Sequence, residues 1–401
     1  MKLPFSVAIF LACLDWSLTD AALVNTSRVL HLVKALVAAN SENPPGREDR
    51  AAQVLREHVE EHSLSCTTIG PDERPNLVVS TDRLDEAELV LHGHLDTVPV
   101  GPRDSWSHEP FQCEQVGDRL YGRGACDMKG PLAALVETMI TYADERHAKP
   151  LLMLATTDEE SGSSGADQVA ASKILTGVRY GVCAEPTSLE VLVGEKGMLW
   201  VRVTAEGKSA HGSRPEEGIN AIELCINAVK ILTKRPYPFE RDSLMGKPTM
   251  NVGVINGGVK INVVPNRCEA LIDMRLVKGQ GIESTLEQMK NRLKEAGLSE
   301  RVRVDYVHGL PAVITPIDAE IVSASLEAVE KVTGRAQRPR AATFGTDCSV
   351  LQPKIGILNV ICGAGSIEQA HQPDEYVSVE QLLSSVDVYL HIARHFARDI
   401  S

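Results

Sequence analysis

A chain of 401 residues, 43% hydrophobic and 24% charged, has the composition of an ordinary globular protein long enough for two or three domains, each with a core of its own. Its net charge of −13 argues against nucleic acid or an anionic membrane as a partner, and leaves a surplus of carboxylates suited to hard cations. Nine cysteines, odd in number, widely spaced and without a Cys-x-x-Cys, argue against a disulfide framework or a zinc ribbon and point to a reduced, cytoplasmic protein.

The chain opens with MKLPFSVAIFLACLDWSLTDAA, one lysine followed by an apolar run from Leu3 to Leu14 and small residues at Ala21 and Ala22. This is the outline of a weak signal peptide over residues 1–21, which would make the protein secreted or periplasmic. The free cysteines favour the other reading, a plain extension over residues 1–26 in a cytoplasmic chain. No other apolar run approaches the ~18 residues a membrane span requires.

Helix and strand patterns then alternate. SRVLHLVKALVAAN carries one apolar face and has Asn25, Thr26 or Ser27 before it as caps, and REDRAAQVLREHVEEHS is a second helix. NLVVS (76–80) and AELVLHG (87–93) are strands, PLAALVETMITYAD (131–144) is a helix with proline in its first turn, and LLMLAT (151–156) and YGVCAE (180–185) are short buried strands. This alternation implies a three-layer α/β domain over residues 27–195.

The pattern changes near residue 195. MLWVRVTAE (198–206) alternates as a strand, and EGINAIELCINAVKIL (217–232) is a helix with Ile219, Ile222, Ile226 and Val229 on one face. MNVGVIN (250–256) and NRCEALIDMR (266–275) are strands, the second turning Cys268, Ala270, Ile272 and Met274 to one side. IESTLEQMKNRLKEAG (282–297) is a helix through Ile282, Leu286, Met289 and Leu293, and RVRVDYV (301–307) is a strand. The order β-α-β-β-α-β is the ferredoxin-like unit, read here as an insertion over residues 196–308. Alternation resumes over residues 309–401 with the helix EIVSASLEAVEKVTG, the strand GILNVIC (356–362) and the last helix VEQLLSSVDVYLHIARHFA.

The chemistry-bearing residues gather where apolar strands stop: His94 and Asp96 after LVLHG, Asp127 in YGRGACDMKG, Glu159 and Glu160 in ATTDEESG, Glu185 in CAEPT and His371 in QAHQPDE. Strand carboxyl ends form one edge of an open α/β sheet, so these loops can converge. Carboxylates buried there without partners would be costly, and cations would remove the cost. Two histidines and three carboxylates suffice for two divalent ions if one carboxylate bridges, and an N/O donor set without thiolate suits zinc, cobalt or manganese in a catalytic centre. Of the adjacent pair Glu159–Glu160, one can bind metal while the other takes a proton from water. Asp96 is placed to hydrogen-bond the His94 imidazole.

The motifs GHLDTVP (93–99), DRLYGRGACDMKGPLAA (118–134), ATTDEESGSSGA (155–166), AEPTSL (184–189), GKSAHGSRPEEGINAI (207–222), NVVPNRCEALIDMR (262–275) and AHQPDEYVSVEQL (370–382) resemble, in order, those of the co-catalytic zinc aminoacylase superfamily, which includes acetylornithine deacetylases, succinyl-diaminopimelate desuccinylases, aminoacylases and glutamate carboxypeptidases. The resemblance covers nearly everything from about residue 27 onward. It implies a three-layer α/β/α zinc-hydrolase domain with an inserted ferredoxin-like lid that mediates homodimerisation. It also implies two zinc ions, one on His94, Asp127 and Glu185 and one on Asp127, Glu160 and His371. Glu159 would be the general base acting on a metal-bridging water, and Asp96 would orient His94. His211 would reach the partner's site as an oxyanion donor, with Asn262, Arg275, Gly345 and Thr346 contacting substrate. The Asp127–Met128 bond is often cis in the family. The implied activity is hydrolysis of the amide of an N-acyl amino acid, with a dipeptidase, a glutamate-type carboxypeptidase or a non-catalytic ligand-binding member as alternatives. His92 and Cys126 are read as packing residues rather than ligands, and Arg335, Arg338 and Arg340 as a solvated basic cluster, with Arg340 alone in reach of an acidic substrate.

Overall fold

The computed structural model describes residues 24–145, 147 and 149–397, so the signal-like segment lies outside the described residues. In chain order the first part contains α1 (Thr26–Ala38), α2 (Asp49–Glu61), β1 (Ser65–Ile69), β2 (Asn76–Ser80), β3 (Leu89–His94), β4 (Glu114–Val116), β5 (Arg119–Tyr121), α3 (Lys129–Asp144), β6 (Leu152–Thr156), α4 (Ser164–Ser172), β7 (Tyr180–Cys183) and β8 (Leu192–Glu195). Then follow β9 (Gly197–Glu206), α5 (Ala221–Thr233), β10 (Thr249–Gly257), β11 (Arg267–Leu276), α6 (Ile282–Glu295) and β12 (Val302–Leu310). The last part holds β13 (Val313–Ile314), α7 (Glu320–Thr333), β14 (Arg340–Ala342), α8 (Cys348–Ile355), β15 (Leu358–Ile361), β16 (Tyr376–Ser378) and α9 (Val379–Phe396).

The main sheet runs β1-β2-β6-β3-β7-β15-β8-β13, with β14 also paired to β8. Its centre, β6-β3-β7-β15, is parallel, and antiparallel strands flank it on both sides. Strand alternation divides the apolar side chains between two layers. Leu77, Val79, Leu89, Leu91 and Met153 pack with α1, α2, α3, α7 and α9, whereas Val78, Val90, Leu152 and Leu154 pack with α4 and α8. The result is α/β/α. Because both faces are covered, the central strands are apolar throughout rather than alternating with polar residues. A separate small sheet, β16-β5-β4, joins residues near 120 to the loop before α9.

The middle elements form an antiparallel sheet ordered β10-β11-β9-β12. Leu199, Val201 and Val203 of β9 and Cys268, Ala270, Ile272 and Met274 of β11 turn to one face, where α5 and α6 cover them. Two details differ from the sequence reading. β12 continues to Leu310, and α5 starts only at Ala221, where the Asn220 side chain accepts from Ile222 N and Glu223 N; residues 215–217 are a separate short turn.

The buried stripe of α5 is also rotated by about one residue. Ala221, Cys225, Ala228 and Leu232 face the sheet, and Ile226 is 40% exposed. The stripe against the sheet is made of the small residues Ala221, Cys225 and Ala228, with Leu232 at its end. Ile226→Ala is therefore expected to change stability by under about 0.5 kcal/mol. Cys225→Leu should cost about 1–3 kcal/mol by overpacking. Thermal melts of the two variants side by side check the assignment.

Candidate active site and metal centre

The register of the parallel strands brings the chemistry together. His94 lies opposite Thr156 of β6, and His92 opposite Cys183 of β7. Two residues further on, β3 ends at His94 and β7 exits into Glu185, so the two meet at the same edge. The turn after β6, which carries Glu159 and Glu160, closes over them.

His94 Nε2 lies 3.1 Å from Asp127 Oδ1 and 3.4 Å from Glu185 Oε1. The second oxygen of Asp127 is 3.3 Å from His371 Nε2, and that nitrogen is 3.0 Å from Glu160 Oε2. Asp127 thus turns one oxygen to each imidazole. Donor atoms of His94, Glu159 and Glu185 lie within 4.8 Å of one another, as do those of His94, Asp127 and Glu160. A carboxylate facing two ways between two such groups is the arrangement a bridging ligand needs, and the all-N/O donor set fits a pair of borderline or hard divalent cations.

The electrostatics agree. Burial raises Glu185, Glu160 and Glu159, and neighbouring carboxylates raise them further. Burial likewise opposes ionisation of Asp127, but hydrogen bonds from His371 and His94 hold it well below the usual carboxylate range. Burial works against a charged His94 too, yet Glu185 and Asp127 hold that imidazole well above its ordinary value. Hydrogen bonds to Asp127 and Glu160 push His371 up to about 10. Both shifts mark a site that favours positive charge.

A supporting layer fixes these groups. The contact expected between Asp96 and His94 runs through the main chain: His94 Nδ1 donates to the Asp96 carbonyl at 2.9 Å, and the Asp96 carboxylate is 3.6 Å away. That fully buried carboxylate is occupied elsewhere. It accepts from Glu159 N at 3.1 Å, Glu160 N at 3.2 Å and Asn43 Nδ2 at 2.9 Å, so it sets the turn that presents both glutamates. Glu375, also fully buried, accepts from Cys126 N and Asp127 N and pairs with Arg123, fixing the bridging position from behind. The Asp127–Met128 peptide is cis. Asp158 holds the same turn through Arg74, Asn43 and Ser164. Glu375 and Asp158 went unnoticed in the sequence, although each adjoins a quoted motif residue; only their buried partners give them a role.

The remaining candidates divide. Arg275 and Gly345 line a cleft of about 330 Å³ together with Glu159, Glu160 and His371. Thr346 does not line it: the residue is fully buried, and its hydroxyl accepts from Cys348 N, because the chain turns into α8 there. His211 and Asn262 are exposed and lie outside the cleft of their own chain; His211 Nδ1 pairs with Ser213 Oγ. His92 bonds to Asn359 Oδ1 at 3.0 Å, and Cys126 is buried, each outside the groups around Asp127. Arg340 is held in a surface pair with Glu190. Trp200, Met198 and His308 also line the cleft and were missed. The signal was the alternation of β9, which turns Met198 and Trp200 away from the apolar face.

Asp96→Ala would leave the part-buried amides of Glu159 and Glu160 without their acceptor and remove one of the two that Asn43 Nδ2 has. It is expected to cost roughly 3 kcal/mol or more and to weaken metal binding. Thermal unfolding and metal titration of the variant check both, with Asp96→Asn expected to lose less.

Comparison with known proteins identifies the family. The family described as Peptidase family M20/M25/M40 matches residues 90–395. An acetylornithine deacetylase from Edwardsiella ictaluri is 36% identical over 320 residues, 77% of this chain and 80% of that protein. A metallo-carboxypeptidase of the M20 family from Sulfolobus solfataricus superposes with a TM-score of 0.78 at 20% identity, over 92% of this chain and 99% of that one. A dinuclear metal binding peptidase of the M20 family from Bacillus subtilis superposes with a TM-score of 0.72 at 15% identity, over 92% and 98% of the two chains.

Proposed function

The chain belongs to peptidase family M20/M25/M40, and from that premise we propose that it hydrolyses the amide of N-acyl amino acids, in the manner of the acetylornithine deacetylases it is similar to. The observation that carries the reading is Asp127 set between His94 and His371, with Glu185 and Glu160 beside the two imidazoles and Glu159 adjoining. Two divalent ions, zinc in preference to cobalt or manganese, are assigned to His94, Asp127 and Glu185 and to Asp127, Glu160 and His371. When bound, such a pair polarises the scissile carbonyl and lowers the pKa of water.

The chain's own residues do the rest. Glu159 takes a proton from the attacking water and delivers it to the leaving amine nitrogen. Burial and the neighbouring Glu185 raise its pKa, which suits a group that must hold that proton between the two transfers. The Asp96 carboxylate keeps Glu159 in place through its main-chain amide. Arg275, at the cleft wall, receives the substrate carboxylate, and Gly345 lets the substrate approach the main chain.

The ferredoxin-like unit, residues 196–308, is assigned as a lid and dimerisation domain between two catalytic segments, 27–195 and 309–401. Exposure of His211 and Asn262 away from their own cleft supports a homodimer in which the partner's His211 donates to the oxyanion and the partner's Asn262 contacts substrate. Among the described residues no helix is long and apolar enough to cross a membrane. The eight described cysteines are all free, which supports a cytoplasmic location.

Glu159→Gln should lower kcat by about 10²–10⁴-fold with the metal content unchanged. Chelation should abolish turnover and zinc or cobalt should restore it; turnover that survives both treatments overturns the reading. Mixing His211→Ala subunits with Glu159→Ala subunits should regain activity that neither variant has, because one site of the mixed dimer then holds a complete set. Steady-state rates across mixing ratios check the assignment, and a flat response removes it.

A further inference from the structure

We infer that the cleft selects N-acyl amino acids with an apolar or aromatic side chain and discriminates against a cationic one such as ornithine; this rests on the function proposed above. Strand register sets the wall opposite the metal centre. On β9, Met198 lies between Arg275 of β11 and Leu310 of β12, and Trp200 lies between Asp273 and His308. These residues share the face of the sheet that α5 and α6 leave uncovered, since Leu199 and Val201 take the other. Met198, Trp200 and Leu310 therefore meet Phe344, Ile367 and Ala370 from the catalytic side across the cleft.

The charges point the same way. Among the described residues the acids lining the cleft are Glu159 and Glu160, both already assigned to the chemistry. Asp273 is occupied, accepting from Trp200 Nε1 at 3.1 Å and pairing with Arg275 Nε at 3.3 Å. Asp158, on the far side of His308, holds Arg74, Asn43 and Ser164. Burial lowers the pKa of His308 against the opposing charge of Asp158, and its Nε2 is buried without a hydrogen-bond partner. The ring meets Trp200 edge-on, with centroids 5.6 Å apart. The wall thus offers one fixed cation for a carboxylate, one imidazole with a free ring nitrogen and a large apolar surface.

An alkylammonium placed there finds no free anion among the described lining residues of its own chain and faces Arg275, and lid closure would strip its water, which is costly for an unpaired charge. A thioether or phenyl side chain gains from the same burial and from contact with Trp200 and Phe344.

The test is kcat/KM of the zinc-loaded full chain on N-acetyl-methionine, N-acetyl-phenylalanine and N-acetyl-ornithine. The apolar substrates should lead by roughly tenfold or more. Trp200→Ala should bring the three within about threefold by raising KM for the apolar pair. Turnover with N-acetyl-ornithine equal or better overturns the inference and leaves the deacylase reading standing. A preference unmoved by Trp200→Ala overturns it as well, because this wall would then not set the choice. No turnover of any of the three, with two metal ions bound per chain, overturns the deacylase reading and the inference with it.

Discussion

Negative charge concentrated at one edge of the sheet is the constraint on which the rest of this molecule depends. Asp127 with Glu160, and Glu159 with Glu185, form two groups that share His94, each with its donor atoms within 4.8 Å of one another, on a scaffold whose central strands are buried on both faces. Such a cluster is stable only if positive charge enters it. Two imidazoles face it, one on each oxygen of Asp127, and the whole arrangement is fitted to cations. A site of this kind must be held from behind, since its members repel one another when left uncompensated.

The fold does this holding with main-chain amides backed by ion pairs, Arg123 with Glu375, which is buried, and Arg74 with Asp158, which is part-buried. Asp96 accepts from the amides of Glu159 and Glu160, and Glu375 accepts from those of Cys126 and Asp127. Each places a carboxylate under a turn that carries active groups, so the turn cannot move without leaving a buried acceptor unpaired. The antiparallel flanks and the helical layers on both sides keep β3, β6 and β7 in register, and register in turn keeps His94 beside Glu185.

The second unit contributes a surface rather than a metal-binding cluster. Its helices cover one face of the four-stranded sheet, and the opposite face carries Trp200, Met198 and Arg275 toward the catalytic edge. The cleft is therefore lined from both sheets, with Glu159, Glu160 and His371 on one side and Met198, Trp200 and Arg275 on the other.

The sequence by itself determined the alternation of helix and strand, the β-α-β-β-α-β insertion, and the family through motifs in fixed order. It also singled out the residues around Asp127, because carboxylates and imidazoles placed immediately after apolar strands are conspicuous in one dimension. Tertiary structure alone decided what depends on distance across the chain. It set the β10-β11-β9-β12 order, the small sheet β16-β5-β4 and the rotation of α5 that turns Cys225 rather than Ile226 inward. It gave Asp96 its bond to His94 through a carbonyl, gave Glu375 and Asp158 their partners, buried Thr346 and left His211 outside its own cleft. Periodicity reports which face of an element is apolar, whereas the partner a polar group finds depends on how the chain turns locally and on which distant segments it meets, as Asp96 meets Asn43 and Asp127 meets Glu375.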